Sequence, residues 1–176
     1  MHTRNLIALP LFILALGCVL PAQTPCSVQK SLRGTWAFSE LGWTVPLYGS
    51  EAATPVTVIG AFSIDGSGKM TGSGTTISAT GIPGTPIPAG EVLDFDFQGT
   101  IKITPDCTGI LRYSIQLKGT PGPLPGEFIE RFVYSPWTDK IVSMSVKSPL
   151  SKPLWIGSYK RIGLYPRAIT WPAITD

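Results

Sequence analysis

The chain has 176 residues, 14 Lys+Arg against 11 Asp+Glu, a single His, and 19 Gly with 17 Pro, for a formal net charge of +3. Basic residues scattered through a nearly neutral chain exclude a phosphate-binding stripe and an anionic-lipid patch, so nucleic acid is not an expected partner. Low charge with abundant Gly and Pro fits one all-β domain with a single core rather than a helical or disordered protein.

The chain opens on Arg4, an apolar run from Leu6 to Leu20 and a small residue at Ala22, the pattern of a secretory signal peptide over residues 1–22. A lipoprotein signal ending at Cys18 is the competing reading. No later stretch approaches the eighteen apolar residues that a membrane helix needs. Losing Arg4 with the leader takes the net charge from +3 to +2. The expected organisation is a leader over 1–22, a β domain over 23–162 and a tail over 163–176, in a secreted or periplasmic protein. Of the three cysteines, Cys26 and Cys107 lie outside the leader, and an even pair in an oxidising compartment implies a disulfide.

Eight β-type runs follow, over residues 34–41, 56–64, 69–78, 92–103, 109–117, 128–135, 140–147 and 154–161, with no competing helical period. Alternation is cleanest in the fourth, where Leu93, Phe95, Phe97, Ile101 and Ile103 share one face and Asp94, Asp96, Gln98 and Lys102 the other. In the fifth, Leu111, Tyr113, Ile115 and Leu117 repeat the split. Connections alternate between tight turns (Asp65-Gly66-Ser67-Gly68, Pro105 to Gly109, Pro136 to Asp139) and longer Pro/Gly loops. A sheet with one apolar face and no covering helices must curl on itself. The expected fold is therefore all-β, an eight-stranded antiparallel up-and-down barrel, laced at one end and open at the other. In that topology Cys107 falls at the same closed end as Cys26.

Gly34-Thr35-Trp36 at the start of the first strand, a long first loop, Thr138-Asp139 between the sixth and seventh strands, and Arg161 ending the eighth resemble the lipocalin and wider calycin pattern. That resemblance implies that Trp36 packs on the barrel floor under Arg161, with the Thr-Asp turn beside it. Residues 163–176, with Pro166 and Pro172, do not carry the helix of typical lipocalins. The opening Cys26, Leu32, Gly34-Thr35-Trp36 and Leu41-Gly42 is also similar to avidin-type barrels, but Phe38 stands where a ligand-binding Asn would be, so biotin binding is not implied. Gly34-x-Trp36-x-Phe38, Asp65-Gly66-x-Gly68, Gly72 and Asp106-Cys107-Thr108-Gly109 resemble uncharacterised secreted bacterial proteins of the allene-oxide-cyclase and dirigent barrel type.

His2, the only histidine, falls in the leader, so the mature chain lacks a His base, a Ser-His-Asp triad and a His metal site. No catalytic residue, metal or cofactor is assigned. The remaining acids and phenols are Asp94, Asp96, Glu127, Glu130, Tyr113, Tyr134 and Tyr159. Asp94 and Asp96 oppose the Phe95/Phe97 face and read as solvated. Glu130 and Arg131 point to opposite faces, and the ordinary reading places Glu130 outside.

An eight-stranded barrel is just wide enough to fill its own interior or to hold one small ligand. The first expectation is therefore a binder of a small, largely apolar molecule, with Phe95, Phe97, Tyr113 and Ile115 lining the lumen and Trp43 and Tyr48 on the first loop at its mouth. It requires a cavity of at least about 300 Å³. The alternatives are a side-chain-filled barrel whose outer face docks a protein or surface, and a cofactor-free cyclase or isomerase with a carboxyl or phenol in the lumen.

Overall fold

The structure is a computed structural model and describes residues 25–45, 53–78, 90–149 and 152–165. The leader with Cys18, the first-loop residue Tyr48 and the end of the tail lie outside the described residues. The strands are β1 (Gly34–Val45), β2 (Thr54–Ile64), β3 (Lys69–Ser78), β4 (Val92–Ile103), β5 (Thr108–Leu117), β6 (Phe128–Ser135), β7 (Lys140–Lys147) and β8 (Lys152–Gly163). Each pairs antiparallel with its sequence neighbours, and β1 pairs with β8, so the sheet is a closed eight-stranded barrel. The seam runs from Thr35 opposite Gly163 to Val45 opposite Lys152, with one irregularity between Thr35 and Trp36.

Four strands keep the bounds expected from the sequence, and the others are longer. The correction that matters is at β1. Residues 42–45 continue the strand instead of opening a loop, because they pair on both sides, with Trp43 opposite Pro55 of β2 and Leu154 of β8.

The alternation divides inside from outside as the pattern of β4 and β5 indicates: Phe95, Phe97, Ile101, Leu111 and Leu117 are buried, while Asp96, Gln98 and Lys102 are exposed. Three glycines make room for the aromatic rings. Gly60 and Gly74 face each other across β2 and β3. A Cβ would come within 2.5 Å of the Phe38 ring at Gly60, within 2.7 Å of the Phe95 ring at Gly74, and within 2.7 Å of the Phe97 ring at Gly72. The absent side chains are filled by Phe rings from neighbouring strands, and Phe38, Phe62 and Phe97 meet at centroid distances of 5.7–6.0 Å. Such tilted and edge contacts suit the quadrupoles of the rings.

One element has no counterpart in the sequence reading. A single π-helical turn, Val28–Leu32, capped by the Ser27 side chain, places fully buried Leu32 under the barrel. Trp36 Nε1 donates to the Leu32 carbonyl at 2.8 Å, which fixes the plug to β1. The Arg161 guanidinium lies 4.8 Å from the Trp36 ring centroid, pairs with Asp139 at 3.1 Å and donates to the Ser31 carbonyl. Asp139 adopts a left-handed φ of 51° in the β6–β7 turn and also accepts from the Tyr134 hydroxyl at 3.0 Å. Burial and that carboxylate push the Tyr134 phenol up to about 12. The expected floor of Trp36, Arg161 and the Thr138-Asp139 turn is thus assembled.

Cys26 and Cys107 are bonded at this same end, with Cα atoms 5.1 Å apart across a sequence separation of 81. The Cys26 backbone N–H also donates to the Pro105 carbonyl at 3.2 Å, so the strap lies along the β4–β5 turn. By loop-closure entropy a crosslink over this span stabilises the fold by roughly 4.5 kcal/mol, an upper figure. Replacing both cysteines by Ser is expected to lower the unfolding free energy by a few kcal/mol in guanidinium titrations. An unchanged midpoint would show that the strap contributes nothing.

Candidate functional site

The closed half of the lumen is solid, filled by Trp36, Ile64, Ile101, Phe132 and Ile141. Toward the long-loop end it hollows into a cavity of about 80 Å³, whose lining includes Phe38, Val58, Phe62, Phe95, Phe97, Tyr113, Ile115, Phe128, Trp155 and Tyr159. That is room for roughly half a dozen waters. The volume falls short of the roughly 300 Å³ expected of a drug-sized pocket, because the Phe rings laid over the inward glycines occupy much of the lumen.

Phe95, Phe97, Tyr113 and Ile115 all line the cavity. Trp43 does not. Inward positions on β1 are Trp36, Phe38 and Glu40, so parity turns Trp43 outward, and it is half exposed on the outer face. Asp96 is exposed, and Asp94 accepts from Thr75 Oγ1 at 2.7 Å on the outside.

The lumen also holds a polar cluster that the sequence reading only partly anticipates. Glu130 is completely buried, which corrects its expected outward placement: β6 carries apolar residues on both faces, and the larger rings of Phe128, Phe132 and Tyr134 claim the interior and take Glu130 with them. Tyr113 donates to Glu130 Oε1 at 2.5 Å, and the Tyr159 hydroxyl lies within hydrogen-bonding distance of Glu130 Oε2. Tyr159 is also 2.9 Å from Glu40 Oε1, and Ser143 Oγ is 2.8 Å from the Tyr159 oxygen. Glu40 was not a candidate, although its spacing of two from Phe38 and four from Trp36 puts it on the inward face.

A phenol has one hydrogen, so Tyr159 cannot donate to both carboxylates at once. One further proton must be held in the cluster, and burial, followed by the charge of Glu130, raises the Glu40 carboxyl well above the usual carboxylate range against the hydrogen bond from Tyr159. Burial, then the Glu130 and Glu40 charges, likewise raise the phenols of Tyr113 and Tyr159. The arrangement is a two-carboxyl, two-phenol network sharing a proton. Among the described residues no group of His, Cys, Asp and Glu is placed to hold a metal ion, and no helix is long and apolar enough to cross a membrane.

Compared with known protein families, curated proteins and solved structures, the chain matches none.

The Glu40 shift has a definite pH signature. An acid whose folded pKa is raised is neutral in both states below the ordinary value of 4.5. Above that value the unfolded chain releases a proton that the folded chain retains. Stability therefore falls as pH rises from about 4.5 until the folded carboxyl ionises, with a limiting slope of about 1.4 kcal/mol per pH unit. Glu40→Gln is expected to remove this slope in urea titrations between pH 5 and 8, and slopes identical to wild type would show that Glu40 is not the proton holder.

Proposed function

We propose that the protein is a secreted or periplasmic barrel that binds one small, largely apolar molecule in its lumen, by burial and without chemistry. The observation that carries the reading is the hollow at the long-loop end, walled by aromatic and aliphatic side chains over a barrel whose other half is packed solid. A cavity walled mostly by aromatic and aliphatic side chains accepts apolar guests, and its size selects compact ones. The Cys26–Cys107 bond supports an oxidising compartment. The stack of Arg161 on Trp36 beside the Asp139 turn supports a lipocalin-like, calycin kinship. Native mass spectrometry of protein purified from its own host is expected to show a retained small molecule. Val58→Trp, which fills the hollow, is expected to abolish retention. A wild-type protein that carries nothing and binds none of a set of small apolar fragments would overturn the reading.

The outer face supports a second reading, an interaction surface. Exposed Met144, Ile156 and Leu41 form one row across β7, β8 and β1, and Leu154 and Trp43 pair in the next row across β8 and β1. After exposed Val92 at its start, the outward residues of β4 are instead charged or polar, among them Asp96, Gln98 and Lys102. Exposed apolar residues occur on every strand but concentrate on β7, β8 and β1, and such a patch suits a partner surface, since soluble monomers rarely expose large contiguous apolar areas. Sedimentation velocity is expected to show self-association that Ile156→Lys reverses. A monomer at every accessible concentration would remove this surface as a self-docking site.

A further inference from the structure

The wall of the cavity formed by β1 and β8 carries two polar side chains placed diagonally. Glu40 lies opposite Gly157, and Trp155 lies opposite Gly42. Both side chains line the cavity, and each faces a glycine across the ladder, the space over Gly157 being taken by Ser143 Oγ and the Tyr159 phenol. Diagonal neighbours of this kind sit about 7–8 Å apart at the backbone, within reach of long side chains, which puts the two on one patch of the wall. A Cβ at Gly157 would come within 2.6 Å of Ser143 Oγ and 2.9 Å of the Tyr159 ring, and one at Gly42 within 2.3 Å of Trp155 Cβ.

The two side chains offer opposite hydrogen-bonding character. Trp155 Nε1 is buried and has no hydrogen-bond partner among the described residues. An indole N–H left in that condition is costly, and it is a donor only. On the Glu40 side the hydroxyl protons are already engaged within the cluster: Tyr113 donates to Glu130, Ser143 lies against the Tyr159 oxygen, and Tyr159 and the shared proton link the two carboxyls. What Glu40 offers the cavity is therefore lone pairs. A guest group that meets both must accept from the indole and donate to the carboxyl.

A hydroxyl does both. A ketone or aldehyde accepts from the indole and gives nothing to Glu40. An ammonium donates to Glu40 and leaves the indole unmet. A carboxylate brings a further negative charge beside two buried carboxyls, and a hydrocarbon leaves both groups unmet. We propose that the cavity is a site for a compact apolar alcohol or phenol, its ring or chain among Phe38, Phe95 and Phe97 and its hydroxyl lodged between Trp155 Nε1 and Glu40. The inference rests on the ligand-binding reading and adds the chemical class of the guest.

The test uses the full mature protein and four probes of one shape: toluene, benzyl alcohol, benzaldehyde and benzylamine. Affinities come from calorimetry, and the Trp155 indole resonance from ¹H–¹⁵N correlation spectra, assigned by its loss in Trp155→Phe. Benzyl alcohol is expected to bind at least about fivefold tighter than each of the other three, the worth of one net neutral hydrogen bond, and to move the Trp155 indole resonance while toluene does not. Trp155→Phe is expected to weaken benzyl alcohol by about the same factor and leave toluene within about twofold. Should that variant not fold, the resonance is assigned in the wild-type protein from its through-space contacts to Phe38 and Tyr159, which line the same cavity, and its shift decides by itself. Equal affinity for toluene and benzyl alcohol, or benzyl alcohol bound with an unmoved indole resonance, would overturn the hydroxyl assignment and leave the container intact. Failure of all four probes to bind would overturn the container reading and this inference with it.

Discussion

Everything in the molecule depends on the hydrogen-bonded seam between β1 and β8. Without it the sheet would have two edges, each a row of unpaired backbone groups open to other chains. With it every strand is flanked on both sides and the inward face becomes a lumen of fixed circumference. An eight-stranded ring has no space to spare, so each inward residue competes for volume with those opposite. The placement of Gly60, Gly72 and Gly74 beneath Phe38, Phe95 and Phe97 is that competition resolved: three positions give up their side chains so that three rings lie flat against the wall.

The same scarcity of volume gives the buried acids their character. A carboxyl in a wider, wetter barrel would be solvated and ionised. Here Glu40 and Glu130 are enclosed by rings and held to two phenols, and desolvation is the leading cause of the raised Glu40, Tyr113 and Tyr159 values. Burial near like charge is what tunes carboxyls toward neutral pH. The geometry nevertheless gives a guest a donor at Trp155 and an acceptor at Glu40, which is enough to orient it.

The barrel was legible in the sequence because its turns are chemically explicit. Asp65-Gly66-Ser67-Gly68 and the β4–β5 and β6–β7 turns punctuate the chain where the ladder reverses, so β3, β4, β6 and β7 begin and end at the expected residues. The floor was legible through Trp36, Arg161 and Asp139, and the strap through the two cysteines left after the leader. Strand ends at the open rim were not. Residues 42–45 look like loop because Gly42 interrupts the alternation, yet pairing on both flanks keeps them extended and sends Trp43 outward. Glu130 was misplaced for a different reason: when both faces of a strand are apolar, period two does not say which is inside, and only the size of the competing rings decides. Glu40 was legible from its spacing to Trp36 and Phe38, but a charged residue at an inward position reads as an exception until its partners arrive from β6 and β8, far away in the chain.

The ties at the floor are unevenly shared with the rest of the barrel. The disulfide, the π-helical plug, the stacked guanidinium and the Asp139 contacts all lie at one end, where they couple the start of the domain to its last strand. Opening free energies in such a molecule are graded along the barrel axis, highest where crosslinks and side-chain contacts add to the ladder and lowest at the opposite rim. The strand ends opposite the floor are therefore the first to open while the base stays shut, and a guest of the proposed kind would enter a narrow lumen by transient loosening of one end, with no need for the ring to come apart.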